Sequence, residues 1–248
     1  MKRFALIGYP LGHSFSKSYF HSKFEREGLT EFSYENIEIE DEKSLKEFIE
    51  AGQFDGVNIT IPWKQKSLEC LVELSEECKK IGSVNVLKKM PSGHYKGYNT
   101  DRIGFTETLR PLLKPWHTSA LILGDGGATK AVIYALEKLE IDYQIVSRNP
   151  GNKLNRISYE NIRQIDVRNA PLIINCTPLG MHPHTENLPE IPYSGIHKFH
   201  LLIDLIYNPT ETLFLKKGAE RGAMTKNGYD MLVRQAEESW KIWNTENN

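Results

Sequence analysis

The amino-acid sequence predicts an α/β protein with two α/β domains around a cleft, the second of them wound in the Rossmann-like manner. Apolar strand-type runs alternate with helix-type segments from the start of the chain, as in βα units. A second such series opens at Ala120-Leu121-Ile122-Leu123, a continuous apolar run that ends in a glycine-rich turn, as a buried parallel strand entering a helix should. The length of 248 residues suits two modest domains, since a domain commonly holds roughly 100 to 200 residues, and no repeat, low-complexity tract or long linker interrupts the chain. Residues 1–101, joined by a C-terminal helix over 229–248, form the expected first domain, and residues 102–228 the second.

In order, Phe4 to Gly8 reads as a strand, Ser18 to Glu27 as a helix, Phe32 to Ile39 as a strand, Lys43 to Ala51 as a helix and Val57 to Ile61 as a strand. A helical segment is expected from Lys64 to Lys80. Two strands follow, through Val84 to Leu87 and His94 to Tyr98, with Pro91-Ser92-Gly93 as turn residues. Beyond the glycine turn, a helix carries Val132, Leu136 and Leu139 on one face. Strands are then expected at Tyr143 to Val146, Pro171 to Asn175 and Leu201 to Leu205, so the second winding runs from about Arg102 to about Asn227. The closing helix, Tyr229 to Trp243, aligns Leu232, Ala236, Trp240 and Trp243 near one stripe and should pack on the first domain, close to the cleft.

Composition excludes several classes. A net charge of −1, with 40% hydrophobic and 25% charged residues, is that of an ordinary globular chain without the basic excess that nucleic acid or anionic lipid demands. No apolar run reaches the roughly 18 residues of a membrane span, and Met1-Lys2-Arg3-Phe4 enters strand-type sequence rather than a signal peptide, so the cytoplasm is the expected compartment. Cys70, Cys78 and Cys176 are too few and too irregular for a disulfide framework or a zinc site, and they read as reduced packing residues. Cys70 and Cys78 could share one helix face, but two turns apart. The partners expected are a small-molecule substrate, no nucleic acid and no membrane, in a monomer or homodimer.

Gly124-Asp125-Gly126-Gly127-Ala128-Thr129 lies between a buried strand and an amphipathic helix, the context of a dinucleotide-binding loop. Glycines permit the turn and let a pyrophosphate approach main-chain N–H groups at the positive end of the helix. The second domain is therefore expected to be a Rossmann-like dinucleotide-binding domain. Asp125 would oppose phosphate charge and is expected to point away. About twenty residues on, where NAD-binding domains place an acid, the chain has Ser147-Arg148-Asn149, and a cation there favours the 2′-phosphate of NADP.

Gly8-Tyr9-Pro10-Leu11-Gly12-His13-Ser14-Phe15-Ser16 offers two hydroxyls before a helix, which by themselves read as caps. Gly56-Val57-Asn58-Ile59-Thr60-Ile61-Pro62-Trp63-Lys64 sets a hydroxyl and an amine past a strand end, and Gly97-Tyr98-Asn99-Thr100-Asp101 sets a carboxamide and a carboxylate before a helix. Together with the glycine loop, Asn175-Cys176-Thr177-Pro178-Leu179-Gly180-Met181, Asp204-Leu205-Ile206-Tyr207-Asn208-Pro209 and Gly228-Tyr229-Asp230-Met231-Leu232-Val233-Arg234-Gln235, these segments resemble the shikimate dehydrogenases in order and spacing from about residue 8 to 243. The resemblance implies an NADP-dependent oxidoreductase that interconverts 3-dehydroshikimate and shikimate on the pathway to chorismate and aromatic amino acids. It implies Lys64 and Asp101 as the catalytic pair, Ser14, Ser16 and Tyr207 at the substrate carboxylate, and Thr60, Asn85, Asn99 and Gln235 at the ring hydroxyls. It further implies Gly124, Gly126, Gly127 and Ala128 at the pyrophosphate, Ser147 and Arg148 at the adenosine phosphate, and Thr177, Met181 and Gly228 around the nicotinamide, with no metal. Ser147-Arg148-Asn149 departs from the family's usual Asn-Arg-Thr, and the later basic position is shifted towards Asn152-Lys153.

Reducing a ring ketone needs a proton for the developing alkoxide as well as a hydride, and a lysine can donate and take back that proton. Asp101 would orient the amine and a ring hydroxyl, and it doubles as a helix N-cap. The alternatives are a quinate/shikimate dehydrogenase using NAD, since small pocket differences decide such preferences, and a catalytically silent dinucleotide-binding relative.

Overall fold

A computed structural model describes residues 1–12, 15–152 and 155–245, which form two compact units: residues 1–100 with 235–248, and residues 101–234. The first contains β1 (Lys2–Gly8), α1 (Phe15–Glu27), β2 (Phe32–Glu38), α2 (Glu42–Ala51), β3 (Gly56–Ile59), β4 (Glu73–Leu74), α3 (Glu76–Ile81), β5 (Val86–Lys89) and β6 (Tyr95–Tyr98). Its sheet runs β2-β1-β3-β5-β6-β4. β1 pairs parallel with β2 and β3, as the βα alternation requires, whereas β5 runs antiparallel to both β3 and β6. One face of the sheet packs Ile7, Leu45, Val57, Ile59, Trp63 and Leu87 together. On the other, Phe4, Phe20 and Phe24 cluster with Ala236, Trp240 and Trp243 of the closing helix. Trp243 stacks on Phe4 at 4.7 Å between centroids and donates its indole N–H to the Leu87 carbonyl at 2.9 Å, which fixes the end of that helix to the sheet.

The continuous helix expected from Lys64 to Lys80 does not form. A turn leads into a 3₁₀ segment over Lys66–Cys70, Leu71 is extended, and Glu73–Leu74 pairs with Lys96–Gly97 before Ser75 caps α3 by accepting from the Cys78 amide at 3.2 Å. Leu68, Cys70, Leu71 and Leu74 still pack against the core, so their spacing imitates one helical face without a helix. Cys70 and Cys78 therefore do not share a helix face, and all three cysteines are free.

The second unit contains α4 (Asp101–Leu109), β7 (Ser119–Leu123), α5 (Gly127–Lys138), β8 (Asp142–Ser147), β9 (Arg156–Ser158), α6 (Gln164–Asn169), β10 (Leu172–Asn175), β11 (Leu201–Asp204), α7 (Leu213–Ala219), β12 (Met224–Lys226) and the start of α8 (Tyr229–Asn244). Its sheet is parallel throughout, in the order β12-β11-β10-β7-β8-β9, the doubly wound Rossmann order that reverses between β7 and β10. Alternate side chains supply the two layers: Ala120, Ile122, Leu172 and Ile174 face α4 and α5 residues, and Leu121, Leu123, Ile173 and Leu202 pack with Val167 and Phe214. The division between units falls inside α8 rather than ahead of it, because Met231 packs into the second core and Arg234 pairs with Glu107 at 2.9 Å. Among the described residues, no helix is long and apolar enough to cross a membrane, and no group of three His, Cys, Asp or Glu could hold a metal ion.

Candidate functional site

In the first unit, three segments carrying expected site residues are laced together by main-chain bonds. The Ile59 amide donates to the Asn85 carbonyl at 2.8 Å, the Asn85 amide to Tyr98 at 3.0 Å, and the Val84 amide to the Lys64 carbonyl at 2.8 Å. Thr60 holds the turn past β3, donating its amide to Ile7 and accepting from the Trp63 amide, each at 2.9 Å. Lys64 is half-buried on that turn. Asn99 is buried, with its carboxamide donating to the Ser83 carbonyl at 2.8 Å. Thr60, Lys64, Asn85 and Asn99 thus follow or precede β3, β5 and β6 at one end of these neighbouring strands.

A buried polar chain extends this cluster. Ser16, in the first turn of α1, hydrogen-bonds the Tyr34 hydroxyl, which donates to Asn58 Oδ1 at 2.7 Å. Burial raises the Tyr34 pKa, and the Ser16 bond opposes that rise. Asn58 Nδ2 donates to Ser239 Oγ at 3.1 Å, and Ser239 donates to the Gln235 carbonyl at 2.8 Å while lying 3.3 Å from Thr100 Oγ1. Asn85 closes the chain: Oδ1 accepts from the Thr100 amide at 2.7 Å and Nδ2 donates to Thr100 Oγ1 at 3.0 Å. Asp101, the buried first residue of α4, follows directly on this clamped residue. Ser14 lies outside the described residues. Tyr34, Asn58 and Ser239 were not singled out from sequence. The signal available was a carboxamide inside the apolar strand Val57-Asn58-Ile59, which a packed sheet tolerates only when hydrogen-bonded.

In the second unit the expected cofactor residues lie past the carboxyl ends of the strands. Gly124 has φ +100°, and a Cβ there would meet Thr177 Cγ2 at 2.8 Å, so both conformation and the close approach of β7 to β10 demand glycine. Thr129 Oγ1 donates to the Gly124 carbonyl at 3.1 Å and steadies the turn. Gly126 caps α5 without a side-chain bond, and Gly127 and Ala128 form its first turn. Asp125, expected to point away from the loop's phosphates, pairs with Arg156 of β9. Ser147 ends β8 with its Oγ buried and, among the described residues, without a hydrogen-bond partner, and Arg148 beyond it is exposed. Thr177 donates its amide and Oγ1 to Asn175 Oδ1 at 3.0 and 2.6 Å, and Met181 is exposed on the same loop. Gly228 donates its amide to Ile206 at 2.9 Å beside half-buried Tyr207, and a Cβ at Gly228 would stand 2.2 Å from the Leu205 carbonyl oxygen.

Asp204, fully buried at the end of β11, ties two of these loops together. It accepts from Asn175 Nδ2 at 3.1 Å, the Ile206 amide at 3.0 Å and Thr212 Oγ1 at 2.6 Å. Burial pushes its pKa up to about 6 against the pull of those donors. In the sequence it stands inside the expected strand Leu201 to Leu205 and opens the Asp204 to Pro209 segment, with no role of its own assigned to it. An uncapped helix start, open space at Gly126, where a Cβ would meet nothing within 4 Å, and the unpartnered Ser147 hydroxyl fit the phosphates and ribose of a dinucleotide.

Residues 6–87 match the family model described as the shikimate dehydrogenase substrate binding domain. The chain is 37% identical over 258 residues to the shikimate dehydrogenase (NADP(+)) of Methanococcus maripaludis strain C7, covering 98% of this chain and 91% of that protein. Among solved structures, shikimate 5-dehydrogenase from Thermus thermophilus in complex with NADP(H) and shikimate superposes with a TM-score of 0.87 at 30% identity, over 98% of this chain and 94% of the other. A chorismate mutase/shikimate 5-dehydrogenase fusion protein from Clostridium acetobutylicum gives 0.86 at 36% identity, over 98% and 91%. With similarity running the length of both units, the chain belongs to the shikimate dehydrogenase family.

Proposed function

We propose that the protein catalyses the reversible NADPH-dependent reduction of 3-dehydroshikimate to shikimate, a step towards chorismate and the aromatic amino acids, with Lys64 and Asp101 as its catalytic residues. The observation that carries the reading is the clamp of Asn85 on Thr100, which fixes the residue ahead of Asp101 at the end of the strands where Thr60 and Lys64 also lie. Bound NADPH supplies the hydride. Lys64 protonates the ketone oxygen as it becomes a hydroxyl and recovers the proton in the reverse direction. Asp101 accepts from a ring hydroxyl, while Asn85, Asn99, Thr60 and Gln235 hold the others and fix the face presented to the hydride. Ser14, Ser16 and Tyr207 hold the carboxylate. The first unit is the substrate-binding part and the second the NADP-binding part. The cytoplasm, where free thiols such as those of Cys70, Cys78 and Cys176 stay reduced, is the proposed compartment.

Loss of NADPH absorbance on adding 3-dehydroshikimate tests the reading, and a protein inert with both partners overturns it. Repeating the assay with quinate and NAD separates the quinate enzyme, which would turn over that pair faster. Ser16→Ala should raise the KM for shikimate while leaving the cofactor KM unchanged, and an unchanged substrate KM would reduce Ser16 to its bond with Tyr34. Arg148→Ala should weaken NADP binding by about one to two orders of magnitude, since a charge-assisted contact is worth roughly 1.5 to 3 kcal/mol, and should alter NAD binding far less. Equal loss for both nucleotides in titrations at fixed ionic strength would leave Arg148 stacking on adenine alone.

A further inference from the structure

The glycine loop carries a carboxylate where phosphates must approach. Asp125 lies between Gly124 and Gly126, immediately ahead of the uncapped start of α5, and its side chain is 33% exposed. An unpaired carboxylate there would repel a bound phosphate and would itself seek the positive end of the helix. The fold answers it with Arg156. This residue opens β9, opposite Ile145 of β8, and reaches Asp125 with a side chain only 15% exposed. Among the described residues its Nε is buried without a hydrogen-bond partner, and the Asp125 carboxylate anchors this guanidinium. The strand that Arg156 pairs with ends in Ser147, just ahead of Arg148, the two residues assigned above to the adenosine phosphate, and because that strand lies between β7 and β9 the guanidinium reaches the loop across it.

We propose that Arg156 is a specificity residue acting as the counter-ion of Asp125: it cancels the loop's own charge and thereby admits a phosphorylated ribose. This rests on the NADP reading above. Without Arg156, the bare Asp125 carboxylate opposes the 2′-phosphate of NADP and offers the ribose hydroxyls of NAD the acceptor that NAD-binding domains supply with an acid. The preference then moves towards NAD through Asp125, with no residue added.

The test is a thermodynamic cycle read as nucleotide affinity, by calorimetric titration of the full-length protein with NADP and NAD. Arg156→Ala should weaken NADP binding by roughly tenfold or more and NAD binding distinctly less, because NAD carries the pyrophosphate but not the 2′-phosphate. Asp125→Ala combined with Arg156→Ala should return NADP affinity close to wild type. A double variant as weak as Arg156→Ala would mean that Arg156 contacts the phosphate itself, and the proposal fails. Asp125→Asn, which keeps the loop's shape, gives a second arm should Arg156→Ala not fold: NADP affinity retained or raised is the expected result, and a loss overturns the proposal. Wild type binding neither nucleotide would overturn the functional reading instead, so the two failures are distinguishable.

Discussion

Lys64→Ala should lower turnover of 3-dehydroshikimate about 10²- to 10⁴-fold, the usual worth of general acid catalysis, while leaving NADP affinity unchanged. The fold should survive, because the Lys64 carbonyl still accepts from the Val84 amide and its side chain contributes to neither core cluster of that unit. Lys64→Arg separates charge from proton transfer. A guanidinium keeps the positive charge but does not give up its proton in proteins, so this variant should be nearly as slow as the alanine one. Single-turnover kinetics with prebound NADPH measures the chemical step directly. Wild-type rates in Lys64→Ala would remove Lys64 from the mechanism, and near wild-type rates in Lys64→Arg would leave it an electrostatic role alone.

The second large effect is expected at Asp204. Asp204→Ala strands the Ile206 amide and Thr212 Oγ1 in a buried place, leaving Asn175 Nδ2 its longer bond to the Leu179 carbonyl at 3.4 Å, and each unsatisfied group costs about 1 to 3 kcal/mol. The sum, on the order of 2 to 6 kcal/mol, is a large part of the roughly 5 to 15 kcal/mol that holds a typical protein folded. Denaturant unfolding should show the loss, together with weaker nucleotide binding, because the loops of Thr177 and Tyr207 share this anchor. Its titration gives a further signature. The folded pKa is raised from 3.8 to about 6, so the native state holds the proton more tightly than the unfolded chain does. This contribution is fully present below about pH 4 and is lost as pH rises through about 6, on the order of 3 kcal/mol at about 1.4 kcal/mol per pKa unit. Relative to Asp204→Asn, wild-type stability should fall with rising pH across that window. A constant difference between the two would show that Asp204 does not titrate there.

The two α/β units and the parallel second sheet were legible in the sequence because their signals are local. A buried parallel strand is a short apolar run, Ala120 to Leu123, and a phosphate loop is a glycine cluster at its end, so neither needs knowledge of distant residues. The order and spacing of the Lys64 and Asp101 segments and of the glycine loop carried the family resemblance for the same reason. What was not legible was decided by partners far away in the chain. Whether 64–80 becomes one helix depends on Glu73–Leu74 finding the edge of β6, and β9 and β12 are too short for periodicity to reveal.

The buried polar groups show the same division. By itself the sequence determined which chemistry the chain carries: the lysine, the carboxylate, the carboxamides and the glycine loop, each in a recognisable neighbourhood. Only the tertiary structure decided what holds them. Asn58 meets Ser239 across 181 positions of sequence, Asp204 meets Asn175 across 29, and Asp125 meets Arg156 across 31. A buried polar side chain must find a partner wherever the fold brings one, and that partner is set by the packing of strands and helices rather than by proximity along the chain.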